Sequence, residues 1–173
     1  MPFPMMLAGG LVLIAAFWDI FSRRIPNLLS VLIALLYLGQ AAYMGQWADI
    51  PWHLLCGAGV LAVGIVIFSL GWLGGGDVKL LAALALWAGP KYIAYFLAMT
   101  CLCGGILAII FVVTVYISKK PIIWLGVDWL FLHVLRRPAP RIQERTSKQM
   151  QLPYGVAIAA AGFAVFAQAA NLI

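Results

Sequence analysis

Two aspartates, Asp19 and Asp77, sit where a carboxylate is costly and therefore calls for a chemical reason. Asp19 interrupts an apolar run, with Phe17-Trp18 before it and Ile20-Phe21 after it. A charge inside a membrane helix costs on the order of 2.5–3.5 kcal/mol at the centre and less near an interface. Asp19 also falls near the C-terminal end of its run, where the helix dipole disfavours negative charge. Capping does not account for it; an ion pair with Arg23, one turn on, is the structural alternative. Asp77 follows Gly74-Gly75-Gly76 and precedes Val78-Lys79-Leu80-Leu81, a setting suited to a helix N-cap. An N-cap needs one Asp and no glycines, each of which costs about 1 kcal/mol relative to alanine inside a helix. The glycines leave bare backbone that another chain can approach closely. At membrane depth such backbone is tolerated where it lines a cavity or is buried in protein.

Two carboxylates brought together in a low-dielectric site share a proton and titrate as a pair. One then takes a proton from water while the other polarises a carbonyl, which is the chemistry of peptide hydrolysis. It requires no metal, cofactor, or activated Ser or Cys. The remaining candidates for metal or thiol chemistry are dispersed. Cys56, Cys101 and Cys103 lie in apolar runs and read as small buried hydrophobes. Cys101-Leu-Cys103 lacks zinc-hairpin spacing, and His53 and His133 are isolated, so no metal site is expected.

The elements that must position the aspartates follow from composition. The 173-residue chain is 65% hydrophobic and 9% charged, against about 25% charged residues in soluble domains. The expected fold is all-α, a single polytopic membrane domain spanning 1–173. A span needs about 20 apolar residues. Charge-free windows give six: Pro4 to Trp18, continuing past Asp19 into Phe21; Leu28 to Ala48; Pro51 to Leu73; a shorter run from Leu80 to Ala88 that reaches spanning length only if it starts at Asp77 and is tilted or the membrane is thinned there; Tyr92 to Ser118; and Pro153 to Leu172. The first has no basic n-region before it, so it is expected to remain as a helix rather than be cleaved.

If six spans alternate, ten of the 11 Lys and Arg residues fall on one side and only Lys91 on the other. That is the positive-inside pattern, with N- and C-termini outside and both aspartates at the cytoplasmic ends of their spans. The net charge of +6 thus reads as an orientation signal and not as a nucleic-acid footprint. Residues 119–152 form a basic cytoplasmic loop. Its apolar stretch from Pro121 to Leu135, bracketed by basic pairs, is expected to be interfacial or re-entrant. Asp128 within it ranks as a distant third acidic candidate, and Asp49 falls on the opposite face.

These motifs resemble a known family. Gly74-Gly75-Gly76-Asp77 fits the Gly-x-Gly-Asp signature of intramembrane aspartic proteases. Asp19-Ile-Phe-Ser-Arg-Arg-Ile-Pro-Asn27 is similar to the pattern around the first aspartate of type IV prepilin peptidases, and Pro153-Tyr154-Gly155 resembles the motif opening their last helix. The resemblance implies an aspartic endopeptidase of the bacterial inner membrane that cleaves prepilin leaders at the cytoplasmic face, with Asp19 and Asp77 catalytic and no cofactor. It implies that Gly74, Gly75 and Gly76 admit extended substrate, as in strand addition, that Lys79 biases the charge of the pair or snorkels to the interface, and that Pro153, Tyr154 and Gly155 shape the site. Larger members carry a domain with two Cys-x-x-Cys pairs and methylate the product; this chain resembles the minimal tight-adherence (Flp) type, which implies peptidase activity alone. A preflagellin peptidase of the same class, a small proton-coupled transporter, and a catalytically silent assembly subunit are the alternatives. The partners implied are the prepilin substrate and the bilayer; the sequence leaves the oligomeric state open.

Overall fold

The computed structural model describes residues 3–22, 25–118 and 154–170. All secondary structure among them is helical: α1 (Phe3–Ser22), α2 (Asn27–Tyr43), α3 (Ile50–Ser69), α4 (Gly75–Ser118) and α5 (Tyr154–Ala170). Three of these, α1, α3 and α4, are long and apolar enough to cross a membrane. Large apolar side chains such as Phe17, Phe21, Trp72 and Val112 are exposed, as expected of surface that meets lipid rather than water. The chain is a multi-pass membrane protein. Residues 119–153, including the basic loop, Asp128 and Pro153, lie outside the described residues.

The chain divides into two compact units, Met1–Gly104 with Pro153–Ile173, and Gly105–Leu152. Of the second, the described part is the C-terminal stretch of α4. The described residues around the two aspartates belong to the first.

The core of that first unit is built on small residues. Ala8, Val12 and Ala15 of α1 and Ala157, Ile158, Ala161 and Val165 of α5 are buried, and the two helices pack together. Small side chains let helix axes approach closely, which is how helices associate where lipid removes the hydrophobic drive. On the other flank, α3 runs antiparallel to the start of α4. A methyl added at Gly64 would stand 2.6 Å from Val78, and one at Gly57 2.8 Å from Leu86.

A straight helix of α4's 44 residues would be about 66 Å long, and its contacts exclude that. Val78 lies at the level of Gly64, and Trp87 stacks edge-on with Phe166 at 5.3 Å, far along α5. Gly104 is again beside Tyr154, the first residue of α5. The chain therefore doubles back between Trp87 and Gly104. The reversal is at Gly89, whose φ of 57° and ψ of −174° lie outside the helical region, with Pro90 next. The two legs correspond to the fourth and fifth runs read from the sequence. The first leg, residues 75–88, spans about 21 Å, well short of a hydrocarbon core of about 30 Å.

Helix ends differ from the charge-free windows. The second helix stops at Tyr43 and the third at Ser69, each several residues early, because Gly45 and Gly71 turn the chain with φ of 71° and 76°. Hydropathy registers no such stop.

Candidate active site

Asp19 lies in the last turn of α1 and is 5% exposed. Its Oδ2 accepts a hydrogen bond of 2.9 Å from the backbone N–H of Gly155, in the first turn of α5. This answers the anomaly seen in the sequence. The negative charge is misplaced on its own helix dipole but meets the N-terminus of another, where free N–H groups and the dipole both favour an anion. A side chain on residue 155 would prevent it. A Cβ there would stand 2.8 Å from Asp19 Oδ2 and 2.9 Å from Ile25 Cδ1.

Asp77 is held in a related way. Val78 N–H bonds to Gly74 O at 3.1 Å, making Gly74 the N-cap of α4 and Asp77 its third helical residue. The expectation that Asp77 is itself the N-cap is corrected accordingly. The Asp77 carboxylate reaches back to the Gly74 backbone, half of a capping box. The side chain is half-buried, and its Oδ1 is enclosed with no hydrogen-bond partner.

Ile25 links the two aspartates. It is buried, its Cδ1 lies against Gly155 beside Asp19, and its Cβ and backbone lie against Gly76, where an added Cβ would be 3.0 Å away. Asp19 and Asp77 thus occupy one end of the bundle, close enough for their charges to interact.

The three glycines are not equivalent. Gly75 and Gly76 are helical; Gly75 faces the Phe68 ring and Gly76 faces Ile25. Gly74 alone is exposed. Of the three glycines expected to leave bare backbone, one is open and two make tight helix contacts. Lys79 turns away from the aspartates and donates to Asn27 Oδ1 at 2.9 Å. Asn27 opens α2 behind Pro26, as its sequence predicts. Tyr154 packs over Gly104, where a Cβ would meet its hydroxyl at 2.6 Å. Arg23, the possible ion-pair partner of Asp19, lies outside the described residues. Asp49 starts α3 at the opposite end. Among the described residues no group of three His, Cys, Asp or Glu could hold a metal.

His53, isolated in the sequence, has a structural role. Its Nδ1 bonds to Leu86 O at 2.6 Å, and its ring fills the space beside Gly89. Leu86 carries one of the orphan carbonyls at the end of the first leg, and Pro90 has no N–H to offer it. A proline four residues after Leu86 was the available signal.

The type IV leader peptidase family matches residues 6–109. The chain belongs to that family. The match takes in Asp19, Asp77, the first leg of α4 and the second as far as residue 109, and membership makes this type IV leader peptidase relative a peptidase. It stops short of α5, which supplies the Gly155 N–H to Asp19. No curated protein and no solved structure matches the chain.

Proposed function

We propose that Asp19 and Asp77 are the catalytic pair of an aspartic endopeptidase that removes the leader of type IV or Flp prepilins at the cytoplasmic face of the inner membrane. The observation that carries this reading is that two aspartates, far apart in sequence, reach one end of the bundle, each with its carboxylate held by backbone at the start of a helix. Fixed backbone donors orient both groups and hold the pair ready for proton transfer.

In this mechanism one carboxylate removes a proton from water as its oxygen attacks the scissile carbonyl. The other carboxyl donates its proton to the carbonyl oxygen. Collapse of the tetrahedral intermediate breaks the C–N bond, and a proton passes to the leaving amine, regenerating the pair. Gly74 is the part of the glycine run open to an extended substrate, while Gly75 and Gly76 let α4 start close to Phe68 and Ile25. Gly155 positions Asp19, Tyr154 closes α5 against Gly104, and Lys79 with Asn27 borders the site without contacting the pair. Six alternating spans, with Lys91 alone outside, put this end of the bundle in the cytoplasm.

The test is co-expression with a candidate prepilin, following leader removal on gels. Asp19→Asn and Asp77→Asn should each slow cleavage by at least about a hundredfold, with both variants still inserted in the membrane. Cleavage at native rate by both would refute the assignment.

A further inference from the structure

The face of α4 turned away from Asp77 borders an open apolar groove of about 340 Å³ between α2, α3 and the first leg of α4. Its walls include Val31, Leu54, Ala58, Leu61 and Ala83, and among the described residues its one charged lining residue is Lys79, which bonds to Asn27 at the end where α2 and α4 begin. An occupant must therefore be apolar along its length and anionic or strongly polar at one end. We propose that this groove is a binding site for a phospholipid with an anionic headgroup, its phosphate at Lys79 and Asn27 and one acyl chain between α2, α3 and α4.

From Lys79 to Leu86 the groove runs about 10 Å along α4, room for the upper part of an acyl chain whose phosphate sits at Lys79. Charge selects this occupant. Lys79 is an exposed cation at the boundary of an apolar channel, and cations in this position attract anionic lipid by roughly 1 kcal/mol each.

A third observation concerns Ser30. It lines the groove one turn below Asn27, is 5% exposed, and its hydroxyl has no hydrogen-bond partner. One turn is about 4.5–5.4 Å, comparable to the headgroup layer of about 5–8 Å on each side of the hydrocarbon. A glycerol ester carbonyl falls at that depth, where rotation of the Ser30 side chain about χ1 would bring the enclosed hydroxyl to it. The site stands independently of the peptidase mechanism; only its assignment to the cytoplasmic leaflet rests on the orientation proposed above.

The experiment is native mass spectrometry of the full chain released from nanodiscs containing equal phosphatidylglycerol and phosphatidylcholine. The native chain should retain phosphatidylglycerol selectively, at one copy. Lys79→Ala should weaken its retention about fivefold, Lys79→Arg should keep it, and Ala58→Phe, which fills the groove from an exposed position, should abolish it. Circular dichroism and thermal unfolding in detergent verify that each variant is folded. Equal retention of both lipids, or undiminished phosphatidylglycerol on Ala58→Phe, would overturn the proposal. So would photocrosslinking from residue 61 that captures the apolar helix of a co-expressed prepilin in place of lipid. Loss of peptidase activity in Asp77→Asn with unchanged lipid retention separates this site from the catalytic reading.

Discussion

At the scale of single residues, the site rests on a pairing between a carboxylate that is wrong for its own helix and a glycine that opens another. Asp19 was visible in the sequence as a misplaced charge, but its partner Gly155 lies 136 positions away, and no local pattern connects them. Asp77 was visible for the opposite reason, since its glycines and the following apolar run mark a helix start within a few residues. The Gly155 pairing yields a direct prediction. In Gly155→Ala the new methyl collides with Asp19 Oδ2 and Ile25, so the carboxylate must move. A displacement near 1 Å at a reacting group costs about 10²-fold in rate, and overpacking of this kind costs about 1–3 kcal/mol in stability. Prepilin cleavage should fall on that order. Gly39→Ala, inside α2 at a position with nothing within 4 Å, should leave cleavage unchanged and raise stability, by up to about 1 kcal/mol. If Gly155→Ala cleaves at the native rate, Asp19 does not depend on the α5 N-terminus.

At the scale of elements, the instructive case is α4. Its first leg is too short to be convincing by hydropathy alone, and the sequence supported it mainly because basic residues flank it unevenly. The structure supplies the physical reason that the run ends at Ala88. Gly89 adopts a backbone conformation that a side chain disfavours, Pro90 offers no donor, and His53 takes the carbonyl left over at Leu86. His53 also stacks on Tyr37 at 4.9 Å, and Tyr37 meets Trp87 edge-on at 5.7 Å. Trp87 in turn donates to Ile33 O at 2.9 Å, so three helices are tied at the bend. None of these links has a period or spacing that a sequence displays; they arise when α2, α3 and α4 are already packed. His53→Ala leaves the Leu86 carbonyl unsatisfied, a cost of about 1–3 kcal/mol, and removes the stacking as well. Thermal unfolding in detergent should show the loss. Gly89→Ala should be at least as damaging, because it combines a positive φ with a collision against the His53 ring. An unaltered unfolding temperature in both variants would show that the bend is held by other contacts.

At the scale of the whole molecule, charge and geometry bear on the same question from different sides. The described helices place Asp19, Asp77, Asn27 and Lys79 at one end of the first unit and His53, Gly89 and Phe166 at the other. If six spans alternate as proposed, Lys79 lies with the large majority of basic residues and Lys91 alone on the far side. The first leg rises about 14 Å from Lys79 to its end at Ala88, just before Lys91, less than the hydrocarbon thickness of about 30 Å. The two lysines can face opposite aqueous phases only if the bilayer is thinned there or water enters beside the bend. This gives a sharp topological prediction. In a background with Cys56, Cys101 and Cys103 replaced by serine, a cysteine at Lys91 should react with a membrane-impermeant maleimide added to intact cells. A cysteine at Asn27 should react only after the inner membrane is opened. The same labelling repeated in thicker, longer-chain lipid vesicles should slow reaction at position 91 before position 27, because the short leg is the part that cannot follow the bilayer outward. If position 91 were instead protected in cells while position 27 was labelled, the orientation would be inverted, and a peptidase acting on cytoplasmic leaders could not use the carboxylates at this end of the bundle.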